Sequence, residues 1–286
     1  MTTVVMTGGT AGLGQVAAQR INAKPKTTLL IGSRTAGPLE TSPLDLSRLA
    51  SVREFAVATT ETLGATRIDV LVLNAGIQLA SNEHRTEDGF ETTFAVNHLA
   101  HYVLLRLLLP TLADHATVMI TTSDTHDLRT NSLAAPRDLD PEALAHPPVD
   151  GRTGFVAGFR AYAASKLCNL LTARALAAVR PELRVIAYNP GFTPGTGLQR
   201  DWPAWARLVA GVGTVMRPVA RLATVKQADD ALVDLALHGA VPPDGRTYAS
   251  LVRRRLTWPD PAPLAQRDDL MRQLWDESAR MAGLAP

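Results

Sequence analysis

Near its N-terminus the chain reads Thr3-Val4-Val5-Met6-Thr7-Gly8-Gly9-Thr10-Ala11-Gly12-Leu13-Gly14, and a helical pattern then continues to about Ile21. The first five of these residues form a short, β-branched run that ends at glycine, which predicts a buried strand. Glycines between a strand and a helix let the backbone approach a pyrophosphate, which the helix N-terminus stabilises through its free N–H groups and its dipole. The stretch therefore predicts dinucleotide binding on an α/β fold, with a plain glycine-rich turn as the alternative.

The composition fits one large α/β domain as well as two small ones. The 286 residues are 46% hydrophobic, and the net charge is +2 with no basic block, so nucleic acid is not an expected partner. The single cysteine, Cys168, excludes an internal disulfide framework and fits a reducing compartment. No uncharged apolar run approaches the ~20 residues that span a bilayer. Because an apolar run begins directly after Met1-Thr2-Thr3, we expect no signal peptide and a cytoplasmic protein.

A second predicted strand, Thr28–Gly32, ends in Ser33 and Arg34. At this point of a dinucleotide-binding fold an acidic residue receives the ribose hydroxyls, whereas an arginine accommodates a 2′-phosphate. The first carboxylate after the strand is Glu40, and the Arg34 guanidinium can bind a phosphate through two parallel hydrogen bonds. The sequence therefore favours NADPH over NADH, and a solvated loop arginine is the alternative.

The segment between this strand and Asp45-Leu46 is unusually short. Only twelve residues, Ser33 to Leu44, are available, and they include Gly37 and two prolines. A parallel crossover needs about a dozen residues and usually contains a helix. We therefore expect a loop in place of that helix. Asp45 is also a candidate N-terminal cap for the helix predicted near 47–63.

Three more buried strands are predicted, each followed by small or polar residues. They are Asp69–Leu73 before Asn74-Ala75-Gly76, Val118–Thr122 before Ser123, and Arg184–Tyr188 before Asn189-Pro190-Gly191. Ligands bind outside the carboxyl ends of the strands in open α/β sheets. We therefore expect Ser123 and the glycine loop at the same edge, with Thr122 as the alternative to Ser123 if the strand ends one residue earlier.

A helix predicted from about Phe159 to Val179 carries Tyr162 and Lys166. Residues four apart share one face of a helix, so the phenol and the ammonium can point into one cleft. A nearby cation favours the phenolate, and we expect the pKa of Tyr162 to be lowered toward neutrality. Such a tyrosine can donate a proton to a carbonyl oxygen or accept one from an alcohol. Taken alone, the pair also fits an ordinary surface helix.

Polar residues interrupt the helical pattern that runs from Glu87 to about Leu112. Asn97 is unfavourable in a helix interior unless its side chain has a specific partner. We interpret His98 and His101 as packing residues or a subunit contact, and without a convincing third ligand we predict no metal site. His126 invites a Ser/His/Asp hydrolase interpretation, which we reject because no G-x-S-x-G elbow precedes it.

Together and in this order, the motifs resemble the short-chain dehydrogenase/reductase family. They are the Thr-Gly-x-x-x-Gly-x-Gly of residues 7–14, Asn74-Ala75-Gly76 with Leu73 in place of the family's first Asn, Asn97, Ser123, Tyr162 with Lys166, and Pro190-Gly191. The long insertion, Asn97-His98 and Trp275 resemble the retinol-dehydrogenase-like and protochlorophyllide-reductase-like branches of the family.

The resemblance implies a single NAD(P)-binding Rossmann-type domain over residues 1–286, built as a doubly wound parallel sheet with helices on both faces. It also implies hydride transfer between NADP(H) and a carbonyl or alcohol substrate. Tyr162 would be the general acid/base, and Lys166 would lower its pKa and hold the nicotinamide ribose. Ser123 would polarise the substrate oxygen, and Asn97 would hold a water of the proton relay.

The same resemblance implies a set of cofactor contacts, with Asp45 and Leu46 at the adenine and the Pro190-Gly191 backbone at the nicotinamide carboxamide. The implied contacts are Gly8, Thr10, Gly12, Leu13, Gly14, Ser33, Arg34, Asp45, Leu46, Asn74, Ala75, Gly76, Tyr162, Lys166, Pro190, Gly191, Thr193 and Thr196.

The substrate site is expected between the insertion 124–158 and a lid at 197–223, which could instead be a packed helix or a membrane-surface helix. A homodimer through the helices near 97–112 and 159–179 is a further expectation. Two alternative functions are reduction of a conjugated C=C bond and non-catalytic dinucleotide sensing.

Overall fold

The protein is described by a computed structural model that covers residues 1–148, 154–191, 224–237, 242–252 and 255–285. Within these residues the strands are β1 (Thr2–Thr7), β2 (Thr27–Ser33), β3 (Ser42–Pro43), β4 (Ile68–Leu73), β5 (Leu112–Thr121), β6 (Arg184–Asn189), β7 (Tyr248–Val252) and β8 (Arg255–Thr257). They form one sheet in the order β3-β2-β1-β4-β5-β6-β7-β8. All neighbouring pairs are parallel except β7 with β8.

Helices cover both faces of this sheet. They are α1 (Gly12–Asn22), α2 (Leu49–Leu63), α3 (Thr92–Phe94), α4 (Ala100–Leu108), α5 (Pro141–Ala145), α6 (Phe155–Val179), α7 (Val225–Leu237) and α8 (Asp268–Met281). A π-helical turn, Ala95–Leu99, joins α3 to α4. The doubly wound α/β fold predicted from the sequence is therefore confirmed.

Alternating side chains of the strands enter two hydrophobic cores. In β1, Val4 and Met6 pack with α1 and α7, whereas Val5 packs on the other face with α2, α4 and α6. Because both faces are covered, the strands are nearly continuous apolar runs, which is why they were recognisable in the sequence.

The short crossover between β2 and β3 is a loop, as the sequence predicts, because residues 34–41 contain no helix. The capping residue of α2 differs from the expectation. Asp88 accepts a hydrogen bond from the Leu49 backbone N–H at 2.9 Å, whereas Asp45 accepts from the N–H and hydroxyl of Ser47. Asp45 therefore shapes the turn before the helix and Asp88, which lies far away in sequence, caps it.

Several element boundaries also differ from the sequence prediction. The α3–α4 region begins at Thr92 and not at Glu87, because Gly89 adopts φ +86° and the Glu91 carboxylate accepts from the first free N–H groups, at Thr93 and Phe94. Strand β5 begins six residues before the predicted Val118, and α6 begins four residues before Phe159. The antiparallel strand β8 was not predicted.

The C-terminal helix α8 packs on α4 and α6. The Trp275 ring lies 5.0 Å from the Tyr102 ring at 83°, and the Arg106 guanidinium lies over both rings. Arg174 of α6 forms an ion pair with Asp268 at 2.7 Å. The chain itself therefore covers part of the surface that the sequence analysis assigned to a homodimer.

Some sequence predictions fall outside the described residues. Thr193, Thr196 and the expected lid at 197–223 all lie in the undescribed segment 192–223. The insertion 124–158 is described except for residues 149–153, and it contains a 3-10 turn at Asp124–His126 and the short helix α5. Across the ranges that the structure does describe, no helix is long and apolar enough to cross a membrane.

Candidate active site

The glycine loop follows β1 at the point where the strand order reverses, between β1 and β4. Gly8 has φ +70°, a left-handed conformation that favours glycine. A Cβ atom on Gly14 would lie 2.0 Å from the Gly8 carbonyl oxygen, so the start of α1 packs directly against the loop backbone. The loop can therefore present its backbone and the N-terminus of α1 to a pyrophosphate.

Asn74 ties three strand ends together. Its Nδ2 donates to the Gly8 carbonyl at 3.2 Å, and its Oδ1 accepts from the Thr121 hydroxyl at 3.1 Å. The Thr7 hydroxyl accepts hydrogen bonds from the backbone N–H groups of Asn74 at 3.0 Å and Ala75 at 3.1 Å. The ends of β1, β4 and β5 are thus held as one polar frame around the glycine loop.

The residues predicted to bind the adenosine end lie along the outer strands. The Ser33 and Thr10 hydroxyls are 3.2 Å apart, which connects the end of β2 to the glycine loop. Arg34 follows Ser33 and is exposed. Leu46 is buried, and the Asp45 carboxylate accepts a hydrogen bond from the Ser47 N–H. Any contact of Asp45 with adenine would therefore involve a side chain that is already held in a turn.

Ser123 and Tyr162 meet just beyond the carboxyl end of β5. Tyr162 is buried on α6, and the Ser123 side chain is close enough to the phenol to lower its pKa. The alternative residue, Thr122, points elsewhere, because its hydroxyl donates to the backbone carbonyl of Lys166 at 2.6 Å. The structure therefore brings Ser123, and not Thr122, to Tyr162.

The Lys166 ammonium lies beside the same tyrosine. Its Nζ is 5.6 Å from the centre of the Tyr162 ring and donates to the Thr121 carbonyl at 3.1 Å. A Cβ on Gly76 would come within 3.3 Å of Nζ, so the absence of a side chain there leaves room for the ammonium. Burial lowers the pKa of Lys166 to about 8, within reach of working pH.

The expectation of a lowered pKa for Tyr162 is wrong for this structure. Burial raises the pKa of the phenol above its ordinary value of 10.0, and the nearby Ser123 side chain offsets only part of that rise. The physical reason is that removing the phenolate from water outweighs its nearby partners. Tyr162 is therefore held as the neutral phenol, which is the form that donates a proton.

Asn97 lies in the π-helical turn between α3 and α4, and its side chain makes three hydrogen bonds, which leave one acceptor position of Oδ1 open. Its Oδ1 accepts from the Ile77 N–H at 2.8 Å, and its Nδ2 donates to the Ile77 carbonyl at 2.9 Å and the Ser165 hydroxyl at 3.0 Å. Turns of this kind are frequent at functional sites. The Asn97 side chain thus locks the segment after β4 to the helix that carries Tyr162 and Lys166.

The three histidines discussed from the sequence are all buried. His98 lies 2.9 Å from the Ser278 hydroxyl of α8, so it packs within the chain. The Nδ1 atom of His126 contacts the Ser123 backbone carbonyl. Among the contacts of the described residues none joins this ring to the Ser123 hydroxyl, so no Ser/His/Asp triad is formed.

Two of these imidazoles make acid pH destabilising. Burial lowers the pKa of His98 to about 3 and that of His101 to about 4, whereas unfolded histidines titrate near 6.5. Below pH 6.5 the unfolded chain binds protons that the folded chain does not bind. The contribution of each histidine to the free energy of unfolding is therefore fully present above pH 6.5, and below that pH it falls by up to ~1.4 kcal/mol per pH unit.

We therefore expect the free energy of urea-induced unfolding to drop between pH 7 and pH 5. The His98→Phe variant should show a smaller drop, because phenylalanine has no proton to gain. The number of protons taken up on unfolding should be lower by about one in this variant. An unchanged pH slope in that variant would show that His98 is accessible to protonation in the folded state.

The Pro190-Gly191 turn, which follows β6, has a support that the sequence analysis did not recognise. The Asn189 Oδ1 accepts from the Gly191 N–H at 3.0 Å, and its Nδ2 donates to the Ser250 hydroxyl of β7 at 2.9 Å. Gly191 adopts φ +71°, so glycine is favoured there. An asparagine directly before Pro-Gly was the available sequence signal, since Asn readily bonds the backbone two residues on.

Comparison with known proteins agrees with this geometry. A family model described as short chain dehydrogenase matches residues 2–129. Dehydrogenase/reductase SDR family member 13 of Bos taurus is 32% identical over 306 residues, which covers 99% of this chain and 74% of the relative. The chain belongs to the short-chain dehydrogenase/reductase family. It is therefore an oxidoreductase of a family that uses a nicotinamide dinucleotide.

Other similar proteins lie in the branches that the sequence indicated. Retinol dehydrogenase 13 of Homo sapiens is 27% identical and the alignment covers 99% of this chain and 85% of the relative. Protochlorophyllide reductase A of Oryza sativa subsp. japonica is 28% identical, and the alignment covers 98% of this chain and 80% of the relative. A crystal structure of a Mycobacterium paratuberculosis protein superposes with a TM-score of 0.69 at 28% identity. The superposition covers 99% of this chain and 94% of that protein. The resemblance found in the sequence is confirmed.

The reaction of a short-chain dehydrogenase/reductase needs proton-transfer groups beside the nicotinamide, and the buried candidates here are Tyr162 and Lys166.

The part of the chain that the structure describes contains no cluster of three His, Cys, Asp or Glu side chains suited to a metal ion. Cys168 is buried and burial raises the pKa of its thiol, so it is a packing residue.

Proposed function

We propose that this short-chain dehydrogenase/reductase is an NADPH-dependent enzyme that transfers hydride between the nicotinamide and a carbonyl or alcohol carbon. The observation that carries the proposal is the meeting of Ser123, Tyr162 and Lys166 beyond β5, at the same sheet edge as the glycine loop after β1. The name of one relative, retinol dehydrogenase 13, fits this substrate class.

In this proposal Tyr162 donates its phenolic proton to the substrate oxygen as that oxygen gains negative charge. The raised pKa keeps the phenol protonated at working pH, which suits the reductive direction. Ser123 holds the substrate oxygen by a second hydrogen bond. Lys166 supplies positive charge beside Tyr162, and Asn97 holds the relay that returns the proton.

The residues present fit a bound NADPH, which would supply the hydride. The absence of a Cβ at Gly8 and Gly14 lets the loop pack tightly on its own backbone and on the end of β4, which sets the loop conformation that would receive a pyrophosphate. We assign cofactor contacts to the same set as the sequence analysis: Gly8, Thr10, Gly12, Leu13, Gly14, Ser33, Arg34, Asp45, Leu46, Asn74, Ala75, Gly76, Tyr162, Lys166, Pro190, Gly191, Thr193 and Thr196. The side chain of Leu13 is buried in the core, so its contact would be through the backbone.

The preference for NADPH depends on Arg34 in this proposal. Arg34→Ala should weaken NADPH binding by at least about tenfold and leave NADH binding within about twofold, because a charge-assisted bidentate contact to the 2′-phosphate is lost. The measurement is a fluorescence titration with each cofactor. Arg160, another exposed arginine, serves as the control through Arg160→Ala. Equal losses for both cofactors in Arg34→Ala would remove the role from Arg34.

The proposed activity is tested by following NADPH consumption in the dark against aldehydes, ketones and enones. Turnover on simple carbonyls that is lost in Tyr162→Phe supports the proposal. NADPH binding without turnover on any carbonyl would count against it and favour the dinucleotide-sensing alternative.

A second candidate is reduction of a conjugated C=C bond. It is favoured by the similarity to protochlorophyllide reductase A over 98% of this chain. It predicts turnover on enones with saturation of the double bond, and a photochemical version predicts activity only in light. Product analysis of the enone reaction, as allylic alcohol or saturated ketone, distinguishes the two functions.

Other features of the working enzyme stay predictions. We propose one domain over residues 1–286, with 124–158 and 197–223 forming the substrate site. The cytoplasmic location also stays a prediction. A homodimer through the helices near 97–112 and 159–179 would have to bury surface beside α8, since Arg106 and Arg174 on those helices already bind the chain's own C-terminal segment.

A further inference from the structure

His101 lies between the cofactor loop and the turn that carries Asn97. Its Nε2 is 2.9 Å from the Thr7 hydroxyl at the end of β1, and its Nδ1 is 3.1 Å from the Asn97 backbone carbonyl. The side chain is 2% exposed. The imidazole therefore spans the distance between two parts of the site that lie 90 residues apart in the sequence.

The chemistry of the atoms in this network determines which atom donates and which accepts in each hydrogen bond. A carbonyl oxygen only accepts, so Nδ1 must carry the proton and donate to Asn97. Burial keeps the ring neutral, which leaves Nε2 as an acceptor. The Thr7 hydroxyl must then donate to Nε2.

The Thr7 hydroxyl is thereby used to its full capacity. A hydroxyl has one donor and two acceptor positions. Thr7 donates to His101 and accepts from the N–H groups of Asn74 and Ala75. The hydrogen bonds run from the Asn97 carbonyl through His101 and Thr7 to the backbone at the end of β4, and each of these polar groups has a partner. Such a closed buried network specifies one geometry.

We propose that His101 is a positioning residue that locks the end of β1 and the end of β4, which bear the cofactor loop, to the π-helical turn of Asn97. The proposal deepens the proposed function, because the locked elements are those assigned to NADPH binding and to the proton relay. His101 itself touches neither cofactor nor substrate in this account. It acts through Thr7 and through the Asn97 backbone.

A double-mutant cycle on NADPH binding tests the lock. His101→Phe keeps the ring volume and removes both hydrogen bonds, and Thr7→Val keeps the shape of the side chain and removes the hydroxyl. Each should weaken NADPH binding by about tenfold, because each breaks the same buried network. Thr7→Val also removes the acceptor of the Asn74 and Ala75 N–H groups, so it should be the weaker binder of the two, and the double variant should be little weaker than Thr7→Val alone. Independent, additive losses would overturn the proposal.

His98→Phe is the matched control. His98 lies in the π-helical turn, three residues before His101, and is equally buried and neutral, but its Nε2 faces Ser278 of α8. Its substitution should lower the Tm and leave the NADPH Kd within twofold. An equal loss of affinity in His98→Phe and His101→Phe would show a general packing effect and overturn the lock.

A measurement on the unsubstituted protein covers the case in which His101→Phe does not fold. Nitrogen-15 NMR should show His101 as the neutral tautomer with the proton on Nδ1 from pH 5 to pH 8. The Nε2-protonated tautomer or a charged ring would overturn the proposal. Because the cycle measures binding and not turnover, a protein that binds NADPH but reduces nothing would defeat the proposed function and leave the lock intact.

Discussion

Tyr162→Phe should lower turnover by at least ~10²-fold and leave the NADPH Kd within about twofold. The substitution removes only the hydroxyl, so the buried ring keeps its packing on α6. The lost group is the proton donor for the substrate oxygen, and general acid catalysis of this kind contributes ~10²–10⁴-fold. Turnover and Kd are measured separately, by single-turnover absorbance of NADPH and by fluorescence titration.

A matched control for this prediction is Tyr102→Phe. Tyr102 is also a buried tyrosine, but its hydroxyl donates to the Trp275 carbonyl at 2.9 Å, at the C-terminal helix. This variant should lose stability and keep its turnover. Near-normal turnover in Tyr162→Phe would exclude Tyr162 from the chemistry, whatever its position.

The expected pH dependence follows from the neutral state of Tyr162. Because burial raises its pKa, carbonyl reduction should not lose rate through deprotonation of the tyrosine at neutral pH. Lys166 has its pKa lowered to about 8, so the positive charge beside the phenol is lost as pH rises through 8. A decline in the reduction rate above pH 8 would therefore be attributed to Lys166.

The parts of the site that the sequence predicted depend on local spacing. The four-residue interval between Tyr162 and Lys166 places both on one helix face, and residues that follow strands fall at the carboxyl edge of the sheet. The glycine loop, Asn74 and Ser123 could be located for that reason. The same local logic correctly predicted a loop in the crossover from Ser33 to Leu44.

Properties that depend on long-range packing were not predictable. The raised pKa of Tyr162 comes from burial by distant elements, and spacing along one helix carries no information about burial. His101 binds Thr7 across 94 residues, and Asp88 caps a helix that begins 39 residues earlier. The cover that α8 provides to α4 and α6 depends on contacts such as that of Tyr102 with Trp275, 173 residues apart.

Gly14→Ala should reduce NADPH affinity by at least ~10²-fold, although alanine is the better helix former. At an ordinary helix position the change from glycine to alanine gains up to about 1 kcal/mol. Here the new Cβ would lie 2.0 Å from the Gly8 carbonyl oxygen and 2.6 Å from Asn74 Nδ2. Both are parts of the frame around the loop, so the Gly8 carbonyl must move.

The displacement outweighs the gain in helix propensity. Forced overpacking costs about 1–3 kcal/mol in stability, and it also breaks the Asn74 hydrogen bond that holds the Gly8 carbonyl. A shift of about 1 Å in a positioning element can cost ~10²-fold in function. Fluorescence titration with NADPH and thermal unfolding would be measured on the same variant.

Gly64→Ala separates the loop effect from a general effect of losing a glycine. Gly64 ends α2 with φ +56°, and a Cβ there would meet nothing within 4 Å. It should cost about 1–3 kcal/mol in backbone strain, because φ +56° with ψ −116° is a conformation that alanine rarely adopts, and it should leave NADPH affinity unchanged. If Gly14→Ala instead bound NADPH as tightly as the parent protein, the loop after β1 would not be the pyrophosphate site, since its backbone cannot accept that Cβ without moving.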